Sequence, residues 1–416
     1  MAVVYAAAAW LVDERRPRRD LWSQFVIAAS AFVAAALERG LGETLTPLAW
    51  SVEGATLVAL GLAPRAGALR LAGYLILGFG TVLALPAVGG FSSLPVLTPG
   101  SIRTALSIAA LLVTARLLER HRDVLLEGER ESVPSLSLAA AHACLAGWLM
   151  VHASRLAWAF IAADTPGAAQ LQGVLASAFA ALAWSIQGSA LVLAGLRGRR
   201  GWTRAIGYGI VAFAGVAFFV GTSMLGWAAG APQGGHPALR MAAAALAFAF
   251  VPWVVLVERA VRERPGLASG EIGVLKAVTL VALVGGLAWS VSVSGLLTRG
   301  IEDAAGRFTI GAALASAAWT AQAIVVFTLG WFRGSPYLRW LGIATLGLTI
   351  LKFLLLDLAR VDTFWRFLTA IAVGCVLLAL SYVYQRARRS AAAPAVVAPG
   401  AGNAYAPADR TRKDHS

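Results

Sequence analysis

The sequence predicts an all-α integral membrane protein: a polytopic transmembrane helix bundle of about 13 spans arranged as three parallel four-helix repeats. Three observations predict it. Of 416 residues, 59% are hydrophobic and 13% charged, against about one quarter charged in a soluble domain. The apolar residues run continuously over lengths that suit spans of about 20 residues, unlike the alternating segments of a transmembrane barrel. A block of sequence also recurs three times, with a period of 134 and then 135 residues. A soluble chain this apolar would expose large adhesive patches. In lipid, helices satisfy their own backbone groups and the same surface is at home.

In chain order, spans are predicted near 2–12 (short), 21–38, 46–62, 69–88, 101–118, 136–161, 168–197, 204–226, 238–258, 272–298, 308–332, 337–357 and 364–385. The segment after 390 is rich in Ala, Pro and Gly with scattered charge, and is expected to be a disordered cytoplasmic tail. The net charge of +14 sits in short inter-helix connections, which excludes a nucleic-acid-binding face. Counting Lys and Arg on alternate sides gives 25 against 8, with Lys276 and Lys352 inside spans. That asymmetry places the C-terminus in the cytoplasm and Met1 outside. Cys144 and Cys375 both lie in apolar segments and read as small buried hydrophobes. The first residues carry neither a basic start nor a small-residue cleavage site, so no secretory signal peptide is expected.

The repeat is gap-free. WSVEGATLVALGLAPRAGALRLAGYLILG from Trp50 matches WSIQGSALVLAGLRGRRGWTRAIGYGIVA from Trp184 at 13 of 29 positions. A third copy begins at Trp319. Each copy keeps Trp, Gly, Arg and Gly at fixed offsets: Trp50, Gly61, Arg70, Gly73; Trp184, Gly195, Arg204, Gly207; Trp319, Gly330, Arg339, Gly342. The closing helices end Glu119-Arg120, Glu258-Arg259 and Gln385-Arg386, and Glu14-Arg15 has the same form. The expected divisions are therefore 1–15 (partial last helix of an earlier repeat), 16–122, 123–262, 263–389 and a tail 390–416. The chain reads as a shortened version of a longer array. Four spans per unit keep successive units parallel rather than inverted.

Three groups of polar residues are candidates for function. Three residues after each Trp stand Glu53, Gln187 and Gln322, which with Lys352 form a candidate polar interior. A mid-membrane carboxylate costs about 2.5–3.5 kcal/mol on insertion scales, so Glu53 should be paired, protonated or hydrated. Opposite charges at one depth are cheaper together than apart, so Glu53 and Lys352 are expected within direct or one-water reach. Asp357 and Arg366 are candidate outer-face polar residues. Arg70, Arg204 and Arg339, each in the first turn of a helix, are candidates for snorkelling anchors or for contacts to lipid headgroups or anions. His142 and His152 are ten residues apart on one span and face different ways. No metal-ligand, nucleophile or phosphate-loop motif is present, so neither a cofactor nor an enzyme activity is expected.

Two stretches carry a family resemblance. One is Trp50-Ser51-Val52-Glu53-Gly54-Ala55 with Gly61-Leu62. The other is LKFLLLDLARVDTFWRFLTAIAVGCVLLALSYVYQRARR from Leu351, with its Trp365-Arg366 pair and Tyr384-Gln385-Arg386 close. The chain resembles a large bacterial family of predicted multi-spanning membrane proteins, domain of unknown function 2339. The resemblance implies a longer parent architecture with more spans, in the cytoplasmic (inner) membrane of a bacterium, and fixes no activity. The expected role is the handling of a small solute or lipid in a cavity between parallel repeats. The alternative is a structural or assembly scaffold of the membrane. Convergence of the polar residues on one cavity would favour the first, and their dispersal into separate bonds the second.

Overall fold

The computed structural model describes residues 2–15, 19–62, 66–86, 96–162, 164–231, 235–262 and 269–353. Among them the regular structure is helical, with no strand. We number the helices α1 (Ala2–Arg15), α2 (Arg19–Leu62), α3 (Gly67–Ala84), α4 (Pro99–Arg120), α5 (Glu127–Ala159) and α6 (Ala168–Arg197). They continue as α7 (Gly201–Gly230), α8 (Pro237–Arg262), α9 (Ser269–Leu297), α10 (Ala304–Phe332) and α11 (Pro336–Lys352), with a 3₁₀ turn at Arg122–Val124. Among the described residues, nine helical segments are long and apolar enough to cross a membrane, from Leu45–Leu62 to Ala304–Phe332. The expected spans at 2–12 and 21–38 are also helical, and 337–357 is helical as far as Lys352. The span at 364–385 lies outside the described residues.

Helix α2 is 44 residues long and holds two of the expected spans. Sixteen residues of straight helix cover about 24 Å. The Trp50 indole nevertheless donates to the Ala34 carbonyl at 3.4 Å, and the Ser30 hydroxyl to Glu53. The chain must therefore turn back on itself between these residues, before Pro47. We call the two parts the first arm (to Arg39) and the second arm (from Leu45).

Helix starts follow local chemistry. Thr98 caps α4 reciprocally with Ser101, and the Asp303 carboxylate accepts from the Ala305 and Gly306 N–H groups that open α10. Gly167, with φ 72°, takes the left-handed conformation that leads into α6.

Close backbone approaches join the Trp-bearing helix of each copy to its Arg-bearing successor. A Cβ on Gly54 would lie 2.4 Å from the Leu77 nitrogen, and one on Gly73 2.7 Å from the Gly54 oxygen. In the second copy a Cβ on either Gly188 or Gly207 would lie 2.9 Å from the other's carbonyl oxygen. In the third, a Cβ on Gly342 would meet the Phe327 nitrogen at 2.7 Å. Small residues thus let backbones touch, the main source of helix adhesion where lipid is as apolar as the side chains. The largest buried cluster lies across α5–α9, with Trp253 wedged against Phe218 and Phe250.

By compactness the chain divides into two units, Met1–Thr349 and Ile350–Ser416. That division falls inside the segment 263–389 expected as one repeat. Lys352 belongs to the second unit, while Asp357 and Arg366 lie outside the described residues.

Candidate functional site

The recurring tryptophans perform one task. Trp50 donates to the Ala34 carbonyl at 3.4 Å, Trp184 to Ala146 at 3.0 Å and Trp319 to Leu287 at 3.1 Å. In each case the acceptor lies on the preceding helical arm. One turn earlier on that arm stands the partner of the residue three positions after the Trp. Gln187 Nε2 donates to the His142 carbonyl and Gln322 Nε2 to the Leu283 carbonyl, both at 3.0 Å. Glu53 instead accepts the Ser30 hydroxyl at 2.5 Å. Two neighbouring bonds per pair pin the helices in register. All but the Ser30–Glu53 bond take up a carbonyl lone pair without breaking the helix that carries it.

Two further tryptophans extend the pattern. Trp148 donates to the Ser101 carbonyl and Trp289 to the Ala243 carbonyl, both at 3.0 Å. Sequence reading missed them because they lie outside the recurring block. The signal was available in their spacing of 141 residues, close to the repeat period.

Two of the recurring arginines are held by carboxylates. Arg70 is 1% exposed. Its Nε and Nη2 donate to Glu129 Oε2 at 3.0 and 2.6 Å, and its Nη1 to the Gly61 carbonyl at 3.0 Å. Arg204 repeats this, with Nε on Glu271 at 2.8 Å and Nη1 on the Gly195 carbonyl at 3.2 Å. The recurring glycine makes room for the clasp, since a Cβ on Gly61 or Gly195 would strike the arginine Cγ at 2.6 or 2.5 Å. Glu129 and Glu271 lie in the first turns of α5 and α9, where a carboxylate also suits the helix dipole. The clasps therefore tie α3 to α5 and α7 to α9. The expectation of anchors or anion contacts for these positions meets a different engagement at Arg70 and Arg204, where three and two guanidinium N–H groups go to a carboxylate and a backbone carbonyl. Arg339 is half-buried, and among the described residues no carboxylate pairs with it.

Three of the candidate polar residues can be placed together with their partners. Glu53, Gln187 and Gln322 are bonded on three different helix pairs. Gln322 lines a groove. That groove, of about 360 Å³, is walled by α8, α9, α10 and α11, among them Trp253, Gly286, Trp289, Val325 and Leu341, with Thr279, Ser290 and Gln322 as its polar members. A second groove of about 550 Å³ runs between α7 and α9 and is apolar apart from Tyr208. Trp253, 1% exposed, forms part of both walls. Among the described residues no cluster of three His, Cys, Asp or Glu could hold a metal. His152 stacks on Trp148, with ring centroids 3.9 Å apart.

No curated protein and no solved structure matches the chain. The family model described as predicted membrane protein (DUF2339) matches residues 1–387, and the chain belongs to that family.

Proposed function

We propose that the protein is a three-unit repeat bundle of the cytoplasmic membrane that holds an apolar, lipid-like molecule in the groove between α8, α9, α10 and α11. The groove's lining carries this reading. Its volume of about 360 Å³ falls in the range of ligand sites. Its walls are almost wholly apolar, with Gln322 and Ser290 as the groups able to orient a guest. A polar solute would find no hydrogen-bonding path there. The three units are supported by the recurring Trp bonds and arginine clasps, and the cytoplasmic C-terminus by the 25-to-8 charge count.

One observation favours the scaffold reading instead: each recurring polar side chain is engaged in a helix-to-helix bond. The two readings separate on lipid retention. Native mass spectrometry of the detergent-extracted, delipidated protein should find one lipid retained per chain. Ala318→Phe, which fills the groove wall, should lose it while the protein remains folded. Equal loss of lipid from wild type and variant, leaving bare protein in both, would support the scaffold.

A further inference from the structure

Glu53 is the exception in a rule the rest of the chain obeys. At its position the other two copies carry Gln187 and Gln322, and both donate an amide N–H to the carbonyl one turn before the Trp acceptor. The matching residue in the first copy is Ser30, one turn before Ala34. An ionised carboxylate can only accept, whereas a protonated one carries an O–H and reproduces the donor and acceptor of a glutamine amide. Ser30 is the one hydrogen-bond partner of Glu53 among the described residues; the hydroxyl meets Oε1, and Oε2 is buried without a bond.

Among the described residues no ion pair is made by Glu53. Glu53 stands nine residues before the end of the second arm, about 13 Å along the helix axis. The first arm contributes Glu38 and Arg39 at its far end, and α1 contributes Tyr5, stacked on Phe32. From α3 come Arg70, held by Glu129, and Tyr74; from α4 come Arg103, Arg116, Glu119 and Arg120, all toward its ends. None of these is bonded to Glu53.

We propose that Glu53 is a proton-binding site within the membrane: a neutral carboxylic acid that takes the place of the recurring glutamine and is reachable from the lipid. The residue is half-buried while Oε2 itself is covered, so an apolar reagent from the bilayer reaches the carboxyl when the side chain swings outward. A neutral acid and an ionised one differ in reactivity toward hydrophobic carbodiimides. The carboxyl proton passes to one carbodiimide nitrogen and the carboxylate oxygen bonds to the central carbon. The acyl group then migrates from oxygen to nitrogen, leaving a stable acylurea with no atom lost. Ionised carboxylates lack the proton that starts this addition.

The test is to treat the full-length protein in nanodiscs at pH 7.5 with dicyclohexylcarbodiimide, and in parallel with a water-soluble cationic carbodiimide, then to map adducts by peptide mass spectrometry. The expected result is an adduct at Glu53 with the hydrophobic reagent only, none at the clasped Glu129, and none in Glu53→Gln. The unfolding midpoint of Glu53→Gln should match wild type, because the amide keeps the same hydrogen-bonding pattern, and Glu53→Ala should lie lower. If Glu53 is instead ionised against Lys352, wild type will stay unlabelled and Lys352→Met will become labelled. That outcome overturns the proposal, as does labelling of Glu53 only after denaturation.

Discussion

Replacing Glu129 by Gln removes the carboxylate from the most deeply buried ion pair of the described residues. Arg70 is 1% and Glu129 17% exposed, and two guanidinium nitrogens share one carboxylate oxygen at 3.0 and 2.6 Å. Breaking a buried pair by removing one partner costs about 3–5 kcal/mol, because the remaining charge is stranded. The amide oxygen can still accept one bond, and Gly61 still holds Nη1, so the lower end, about 3 kcal/mol, is expected. Glu271→Gln should cost less, about 2 kcal/mol, since Arg204 is 13% exposed and brings one nitrogen to the carboxylate. Arg200 and Glu119, 44% and 21% exposed at 3.4 Å, serve as the control: Arg200→Gln should cost less than about 1 kcal/mol. The assay is titration of the protein in mild detergent with sodium dodecyl sulfate, followed by far-ultraviolet circular dichroism. Arg70→Met with Glu129→Leu should recover part of the single-variant loss. A Glu129→Gln loss no larger than that of Arg200→Gln would refute the clasp as a stabilising element.

Two other outcomes follow from the same geometry. Gly73→Ala places a methyl 2.7 Å from the Gly54 oxygen and should destabilise by about 1–3 kcal/mol, while Gly78→Ala, with nothing within 4 Å, should stay within about 0.5 kcal/mol of wild type; both are read by the same titration. A green fluorescent protein fused after Ser416 should fluoresce and an alkaline phosphatase fused there should be inactive, as a cytoplasmic C-terminus requires; the reverse pattern would invert the topology.

The helices and their order were legible because lipid forces each span to be long, apolar and self-bonded, and a sequence displays all three. The recurring Trp, Gly and Arg were legible as a pattern, but their jobs were not. Arg70 and Arg204 sit in first helical turns, where snorkelling is the ordinary behaviour, and nothing local announces carboxylates 59 and 67 residues further on. Glu129 and Glu271 become visible only when the fold brings the first helix of one copy beside the hairpin of the last. The glutamines' role as helix-to-helix donors was within reach of sequence, since an amide in an apolar span needs a partner. The reversal inside α2 was legible too, from the two apolar stretches flanking 39–44, even though the helical assignment runs through it. The groove beside Gln322 was not, because its walls come from four helices whose faces the sequence does not orient.

The measurement that bears most directly on the repeat architecture is the depth of three equivalent positions. Val52, Ile186 and Ala321 each follow a recurring tryptophan by two residues, and all three are exposed. In a background with Cys144 and Cys375 replaced by serine, a spin label attached to a cysteine at each position can be ranged by its accessibility to oxygen in the bilayer and to a water-soluble nickel complex. Three units with one internal geometry predict depths that agree within about 5 Å, one helical turn. A spread larger than that would mean that the recurring residues do not mark recurring structure.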